Sequence, residues 1–362
     1  MDFTLKWLAW EITRRCNFAC VHCRSSSDLV AAEHPDVSFS EAKRILADIA
    51  AFANPVVVLS GGEPLLHDDV FAIARHGDAL GLRMCLATNG SLVSEEICRD
   101  MLKSNIKMVS LSLDGVSPAS HDDFRGQAGA FAGVMRAIEL FRSHGIPFLV
   151  NSSFTKRNQA EIPQVYRLVK SLGATAWYMF MIVPTGRGED IMDELIPAAT
   201  YDELLAWHYR TEKEENELLM RPTCAPHYYR VVRQMAKKDG ERFAQRSLKF
   251  STGGSKGCLA GQLICLLDVD GEVLPCSYFP LAAGNVRQQS FREIWENSEL
   301  FRRLRDFSRY EGRCGRCEYT QVCGGCRARA YAVTGNYLAE EPFCSYQPGE
   351  LRAVSQAANV AM

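Results

Sequence analysis

Fourteen cysteines in a chain of 362 residues constrain this protein more than any other feature of its sequence. Eleven of them form two groups, three between residues 16 and 23 and eight between residues 258 and 344. The amino-terminal stretch is interrupted by Asp2, Lys6 and Glu11, unlike the apolar run of a secretory signal. We therefore expect a cytoplasmic protein, in which such a density of thiols predicts metal centres rather than disulfides.

The charge balance predicts neither a nucleic-acid partner nor a membrane partner. The formal net charge is −2 and the sequence pI is about 6.5, whereas a nucleic-acid-binding surface needs a clustered excess of Lys and Arg. No apolar run approaches the ~20 residues that cross a bilayer. The hydrophobic content of 47% is ample for a packed core.

The first half of the chain alternates short apolar runs with helical patterns, which is typical of consecutive βα units. The predicted strands are residues 5–13, 56–59, 84–88, 108–113, 148–154 and 176–182. Six such units predict an α/β fold, a partial (β/α)6 TIM-like barrel whose chemistry lies at the carboxyl ends of the strands.

We expect four segments along the chain. Residues 1–190 form the partial barrel, and residues 191–255 form a helical connector on the substrate side. That connector includes a charged helix over 201–220 and a flexible Gly/Ser-rich stretch at 251–255. Residues 256–346 form a small C-terminal domain ordered by metal rather than by a large core, and residues 347–362 form a tail.

The first cysteine group, Cys16, Cys20 and Cys23, follows the first predicted strand. Three thiolates on so short a loop can hold a 4Fe–4S cubane, but they leave one of its four irons without a protein ligand. Such an iron can chelate the amino and carboxylate groups of a small molecule. Structural zinc is the alternative, although it needs four ligands and His22 would crowd the tetrahedron.

This Cys-x3-Cys-x2-Cys spacing resembles that of the radical S-adenosylmethionine (SAM) superfamily. The resemblance implies a SAM-bound 4Fe–4S cluster that cleaves SAM to a 5′-deoxyadenosyl radical. It also implies SAM contacts from the Gly-Gly-Glu turn after the second strand, where glycine lets the backbone approach a ligand, and from later strand ends. The residues so assigned to SAM are His22, Gly61, Gly62, Glu63, Ser112, Asp114, Arg125 and Asn151. For Arg125, a surface salt bridge is an equally good interpretation.

The second cysteine group resembles the SPASM extension of radical SAM enzymes, although two residues rather than three separate Cys323 from Cys326. The resemblance implies two auxiliary 4Fe–4S clusters. Their ligands would be Cys258, Cys265, Cys276 and Cys326 for one, and Cys314, Cys317, Cys323 and Cys344 for the other. A single auxiliary cluster, or a zinc knuckle built from the two Cys-x2-Cys pairs, is the alternative. The remaining cysteines, Cys85, Cys98 and Cys224, are predicted to be buried thiols.

Several short strings in the second half resemble the SAM-dependent haem synthases, among them Thr-Cys-Ala-Pro-His at 223–227 and Cys-Gly-Gly-Cys-Arg-Ala-Arg at 323–329. The resemblance implies oxidative decarboxylation of two propionates of iron-coproporphyrin III to vinyl groups, which gives haem b. An auxiliary cluster would accept the electron that leaves the substrate. The expected partners are the iron-porphyrin substrate and a low-potential electron donor such as flavodoxin or ferredoxin.

Five residues are candidates for the porphyrin site. His227 would be an axial ligand of the porphyrin iron, and Arg187 would bind a propionate. The other three, Tyr228, Tyr229 and Arg230, would line the site. A packed histidine and a solvated loop arginine are the plain alternatives.

Three other functions stay open at this point. A SPASM protein can be a peptide or sulfatase maturase, and a related enzyme removes acetate side chains from didecarboxysiroheme. An iron–sulfur electron carrier would have fully ligated clusters, which leaves the three-cysteine loop unexplained.

Overall fold

The structure is a computed structural model that describes residues 3–29, 35–240 and 256–349. The predicted flexible stretch at 251–255 and nearly all of the predicted tail lie outside these residues. The predicted segment boundaries therefore stay predictions.

Within the described residues, ten strands form one sheet in the order β10-β9-β8-β1-β2-β3-β4-β5-β6-β7. The strands are β1 (Trp7–Thr13), β2 (Val56–Gly61), β3 (Arg83–Thr88), β4 (Val109–Ser112), β5 (Phe148–Phe154), β6 (Ala176–Met181), β7 (Leu219–Thr223), β8 (Ile264–Leu267), β9 (Glu272–Leu274) and β10 (Gly284–Asn285). Strands β1 to β7 pair in parallel with their neighbours, and β8 pairs in parallel with β1. The six predicted strands are β1 to β6, so the predicted partial barrel is confirmed.

Helices follow most of the parallel strands and cover the outer face of the sheet. They are α1 (Phe39–Phe52), α2 (Val70–Ala79), α3 (Glu95–Lys103), α4 (Pro118–Arg125), α5 (Ala130–His144), α6 (Ile162–Ser171), α7 (Ala198–Glu214), α8 (Tyr228–Asp239), α9 (Phe291–Asn297), α10 (Glu299–Arg305), α11 (Gly312–Arg316), α12 (Thr320–Cys323) and α13 (Arg327–Thr334). Short 3₁₀ segments lie at Pro64–Leu66, Gln159–Glu161, Gly186–Glu194 and Phe307–Arg309. No helix in the described ranges has both the length and the apolar character to cross a membrane.

The two faces of the sheet bury different side chains because strand residues alternate in direction. Leu8, Val57 and Met84 point to the face covered by the helices and join the main core. Val58 and Cys85 point into the barrel interior and form a separate core. The cysteine in β3 is therefore a buried interior thiol, as predicted.

The seventh strand is a difference from the sequence prediction. Helix α7 ends at Glu214, and β7 then pairs in parallel with β6 where a helix was expected to continue to residue 220. The side chain of Glu215 accepts hydrogen bonds from the backbone N–H groups of Glu217 (2.7 Å) and Leu218 (3.1 Å), which stabilises the turn. The helix-favouring glutamates conceal this turn in the sequence.

The C-terminal cysteine region is part of the same sheet and core. Strands β8 to β10 extend the sheet from β1, and Leu267, Phe291, Trp295 and Phe301 are buried in the main core. Apolar packing therefore contributes to the order of this region, which was predicted to be ordered by metal rather than by a large core, and the weak periodicity of the sequence did not indicate this packing.

Candidate functional site

A cleft of about 210 Å³ opens at the carboxyl ends of the barrel strands, where the predicted chemistry was expected. All three amino-terminal cysteines line it. The other lining residues are Phe18, His22, Arg24, Ser25, Ser27, Ser60, Gly61, Gly62, Ala87, Thr88, Asn89, Ser110, Ser112, Arg125, Asn151, Ser153, Phe180 and Tyr278.

The cysteine loop carries buried thiols, and hydrogen-bond donors lie beside two of the sulfurs. Burial raises the pKa of Cys16 to about 12, and burial also raises the pKa of Cys20 although Arg125 opposes it. The backbone N–H of Phe18 donates to the sulfur of Cys16 at 3.4 Å, and Arg125 donates to the sulfur of Cys20 at 3.7 Å. Buried thiolates need a compensating positive charge, which bound iron provides.

The segment after β6 holds this loop in place. The backbone N–H of Arg187 donates to the carbonyl of Cys23 (2.9 Å). Its side chain donates to the carbonyls of Cys20 (2.8 Å) and Ser27 (3.1 Å). Arg187 was predicted to bind a propionate, but the structure commits it to the cluster loop and places it outside the cleft lining. Three hydrogen bonds from this one residue stabilise the conformation of the cysteine loop.

Gly61, the last residue of β2, and Gly62 both line the cleft, but the structure gives a different reason for glycine at these positions. A Cβ at Gly61, whose φ is 144°, would overlap the carbonyl oxygen of Thr13, and a Cβ at Gly62 would overlap that of Arg15. Gly62 N–H also donates to the Thr13 carbonyl at 2.8 Å. Glycine is thus required by the close approach of the chain after β1 in addition to any approach of a ligand.

Glu63 was assigned to SAM, but its side chain turns away from the cleft. It is fully buried and accepts hydrogen bonds from the Thr88 hydroxyl (2.8 Å) and the Asn89 N–H (2.8 Å). Burial raises the pKa of this carboxyl to about 7, against those hydrogen bonds. Glu63 therefore positions the end of β3, whose residues do line the cleft.

Asp114 and Arg125 form a buried ion pair in which only the arginine reaches the cleft. Arg125 Nη2 lies 2.5 Å from Asp114 Oδ2, and Asp114 Oδ1 accepts from the Ser153 N–H at 2.6 Å. Asp114 is fully buried and does not line the cleft, so it positions Arg125. Because Arg125 also contacts the sulfur of Cys20, the alternative of a surface salt bridge is wrong.

Polar atoms in the cleft fit a nucleoside-type ligand. Asn151 donates to Ser110 at 2.7 Å, while its buried Oδ1 has no hydrogen-bond partner among the described residues. The same holds for Nδ1 of His22, whose ring stacks on Phe124 at 4.4 Å. Burial, then Arg125, lowers the pKa of His22 and keeps the ring neutral. Ser112 ends β4 beside Asn151. An acceptor and a neutral imidazole suit ribose hydroxyls and an adenine ring.

Sequence reasoning missed several cleft residues that share one property. Thr88, Ser110 and Ser153 lie at or near the carboxyl ends of strands, so their position in the barrel could have indicated them. Tyr278 had no such signal, because it comes from the C-terminal cysteine region and reaches the cleft only through the fold.

A second cavity, of about 30 Å³, is lined by Cys314, Cys317, Cys323 and Cys344. Backbone N–H groups donate to three of the sulfurs: Glu341 to Cys314 (3.3 Å), Tyr319 to Cys317 (3.4 Å) and Gly325 to Cys323 (3.5 Å). The structure thus brings together the four cysteines predicted to share one auxiliary cluster, and N–H···S bonds are typical of iron–sulfur sites.

The other predicted set is brought together only in part. Cys276 and Cys326 both lie close to Cys258. Burial raises the pKa of Cys276, with Cys258 and Cys326 adding to it, and burial also raises the pKa of Cys326, with Glu341 and Cys258 adding to it against Arg329. Cys265 lies elsewhere, in the main core, and Arg305 is its neighbouring charge. Cys224, predicted to be a thiol without a cluster partner, lies beside the group instead.

The remaining predicted substrate residues do not line the cleft at the carboxyl ends of the barrel strands. His227 is fully buried against the ring of Tyr201 at 5.1 Å, so a porphyrin iron could reach it only by displacing the core. The hydroxyl of Tyr228 donates to Glu212, and Tyr229 packs against Tyr228. Arg230 pairs with Asp202 and lines the second cysteine cavity. None of the four residues at 227–230 therefore lines the cleft, and Arg230 lines the second cysteine cavity.

Comparisons with known proteins agree with this architecture. The Radical SAM superfamily model matches residues 10–169, and the model of SPASM, an iron–sulfur cluster-binding domain, matches residues 258–327. The AdoMet-dependent heme synthase of Methanosarcina barkeri is 47% identical over 345 residues, 95% of this chain and 97% of that protein. The Fe-coproporphyrin III synthase of the same organism is 30% identical over 93% of this chain and 87% of that protein.

Among solved structures, Streptococcus suis SuiB bound to precursor peptide SuiA has a TM-score of 0.73, covering 95% of this chain and 76% of that one, at 17% identity. That likeness concerns the fold. The family matches imply SAM with a 4Fe–4S cluster, together with auxiliary iron–sulfur clusters. The chain belongs to the radical SAM superfamily and is a radical SAM enzyme with a SPASM domain.

Proposed function

We propose that this enzyme converts two propionate side chains of iron-coproporphyrin III to vinyl groups and so forms haem b. The observation that carries the proposal is the 47% identity to an AdoMet-dependent heme synthase over nearly the full length of both chains. The corresponding identity to a Fe-coproporphyrin III synthase is 30%, which favours decarboxylation of propionates over the removal of acetates from didecarboxysiroheme.

The proposed reaction has a defined redox balance. Each propionate carboxylate loses one hydrogen atom from its β-carbon, then CO2 and one electron, and a neutral vinyl group remains. When bound, the cluster and SAM supply the 5′-deoxyadenosyl radical that accepts the hydrogen atom. The leaving electron needs a nearby acceptor, and two propionates need two rounds.

The boundary of the cleft supports an auxiliary cluster as that acceptor. Tyr278 lines the cleft. Burial raises the pKa of its phenol, and the nearby thiols of Cys224, Cys276 and Cys23 raise that pKa further. One side chain therefore lies between the SAM-cluster loop and the auxiliary cysteines. Arg24 joins the same parts, because it pairs with Glu11 of β1 at 2.5 Å and donates to the Ser277 carbonyl at 3.2 Å.

The residues of the cleft have separate tasks in this proposal. Cys16, Cys20 and Cys23 hold the SAM cluster, Arg125 binds the SAM carboxylate, and Asn151 accepts from the ribose. The low-potential donor that reduces the cluster would be a flavodoxin or a ferredoxin.

The test is anaerobic reconstitution followed by incubation with iron-coproporphyrin III, SAM and a reductant. We expect the porphyrin mass to fall by one and then two units of CO2 plus two hydrogens, with 5′-deoxyadenosine formed. A Cys16→Ala variant is the control, because it removes a cluster ligand and should form neither product. Cleavage of SAM by the wild type without any change in porphyrin mass would refute the proposed substrate. Parallel incubations with didecarboxysiroheme and with a cysteine-containing peptide distinguish the two alternatives.

A further inference from the structure

We propose that Cys224 is the fourth cysteine ligand of the auxiliary cluster held by Cys258, Cys276 and Cys326, and that Cys265 is a ligand of no cluster. The resemblance to SPASM proteins favoured Cys265 because it lies between Cys258 and Cys276 in the sequence. The fold separates what the sequence places together.

The register of the sheet excludes Cys265 from the cluster site. Cys265 in β8 is paired with Leu8 in β1, which is paired with Val57 in β2. Because side chains at paired positions of a sheet point to the same face, Cys265 points to the face covered by the helices. Its side chain is fully buried in the main core, with Arg305 as the neighbouring charge.

Cys224 lies at the end of β7, on the cleft side of the barrel, whereas Cys265 lies on the helix-covered face of the sheet. Thr223 is the last residue of β7 and is paired with Phe180, which lines the SAM cleft. Cys224 follows directly, at the carboxyl edge of the barrel, with φ of 57°. A non-glycine residue in this left-handed region is uncommon and costs about 1 kcal/mol or more, and such strain clusters at ligand sites.

The thiol of Cys224 lies among those of the proposed cluster. Burial raises its pKa well above the usual value, and the charges that raise it further are those of Cys326, Cys276 and Cys258, in that order. These are the three members of the predicted set that the structure keeps together. A fourth thiol would complete the coordination of a 4Fe–4S cluster, whereas three would leave an open iron, as predicted for the SAM site.

A buried ion network ties the backbone of Cys224 to that of Cys326. Arg329, fully buried, donates to the Cys224 carbonyl at 2.8 Å and pairs with Glu341 at 3.3 Å. Glu341 in turn accepts from the Cys326 N–H at 2.6 Å. Besides the single buried carboxylate of Glu341, the guanidinium of Arg329 faces the neighbouring thiols, and these thiols must be deprotonated before they can bind iron. Arg329 therefore both positions two ligands and offsets part of the negative charge of a four-thiolate cluster.

The cysteine inventory supports the same assignment. Three cysteines line the SAM cleft, four line the second cavity, and Cys224 with its three neighbouring thiols makes a further four, which leaves three of the fourteen. The three that remain are Cys85, Cys98 and Cys265, each buried in an apolar core. Each of the other eleven cysteines is thus assigned to one of the three clusters.

The test compares Cys224→Ala with Cys265→Ala in the full-length enzyme, reconstituted anaerobically. The wild type should hold about 12 irons per chain, as expected for three 4Fe–4S clusters. We expect Cys265→Ala to keep this iron content and the EPR spectrum of the reduced auxiliary clusters. Cys224→Ala should hold about eight irons, or keep more iron with a changed auxiliary EPR signal and reduction potential, because one iron has lost its protein ligand.

An unchanged iron content, EPR spectrum and potential in Cys224→Ala, or loss of an auxiliary cluster in Cys265→Ala, would overturn the assignment. Cys224→Ser serves if the alanine variant does not fold: a serine oxygen on iron should shift the auxiliary signal, and an unshifted signal would also refute ligation. These measurements need no porphyrin and no SAM turnover, so their outcome is independent of the proposed function.

Discussion

The pair of Asp114 and Arg125 allows a quantitative test of how the barrel presents a charge to the cleft. The change is Asp114→Asn, which keeps the size of the side chain and its bond from the Ser153 N–H. It removes the anionic partner of Arg125, which lies 2.5 Å away. Asp114 is fully buried and only 10% of the Arg125 side chain is exposed, so solvent cannot replace the lost partner.

The expected cost follows from this burial. Removing one partner of a buried pair costs about 3–5 kcal/mol, because the other charge stays desolvated. Arg125 keeps its contact with the sulfur of Cys20, so we expect the lower end, about 3 kcal/mol. A guanidinium that is no longer fixed should also lose about one charged hydrogen bond to SAM, about 1.5 kcal/mol, or roughly tenfold in affinity.

Two assays check this prediction. Urea unfolding of the anaerobic proteins, followed by circular dichroism, gives the change in the free energy of unfolding, and equilibrium dialysis gives the affinity for SAM. Glu299→Gln is a matched control, since it breaks the exposed pair of Glu299 with Arg303 and should leave both quantities unchanged. An Asp114→Asn protein within about 0.5 kcal/mol of the wild type, with unchanged SAM affinity, would refute the argument.

Three further predictions concern the same end of the barrel. Because burial raises the pKa of Glu63 from 4.5 to about 7, its contribution to stability is present below pH 4.5 and is lost as pH rises through 7. The free energy of unfolding of the wild type, relative to that of Glu63→Gln, should thus fall by about 1.4 kcal/mol per pH unit between pH 4.5 and about pH 7 and should change little above pH 7. Urea unfolding at several pH values would show this. Gly62→Ala should destabilise the protein by about 1–3 kcal/mol or prevent folding, since its Cβ would meet the Arg15 carbonyl; thermal unfolding checks this. Arg187→Ala should lower the iron bound at the SAM-cluster loop while iron at the auxiliary sites stays constant, which EPR with and without SAM would resolve.

Local patterns were sufficient to predict the first six strands and the SAM-cluster loop. Each of these strands is a short apolar run between helical patterns, and the cysteines of the loop lie within eight residues of one another. Such features depend on neighbours in the sequence, so the sequence alone identifies them.

Features that depend on the direction in which a side chain points could not be predicted from the sequence. Glu63 and Asp114 each follow a strand and were assigned to SAM, yet both turn inward and position a neighbour that does reach the cleft. Arg187 and His227 have the chemistry of substrate ligands, but backbone contacts and core packing determine what they touch. Residue type indicates what a side chain can bind, while the fold decides which partner is present.

The sequence also could not predict where the auxiliary region lies relative to the SAM-cluster loop, because that position depends on contacts between residues that are far apart in the sequence. Cys23 and Cys276 are separated by more than two hundred residues, and their relative position is fixed by the parallel pairing of β1 with β8 and by Arg24, which reaches the Ser277 carbonyl. Loops alone could not hold two clusters at a constant separation, whereas a shared sheet and a buried guanidinium can. The transfer of an electron from a substrate depends on that separation. In the proposed reaction an auxiliary cluster accepts that electron, and the shared sheet holds the C-terminal region, and with it the acceptor, at a fixed place beside the cleft.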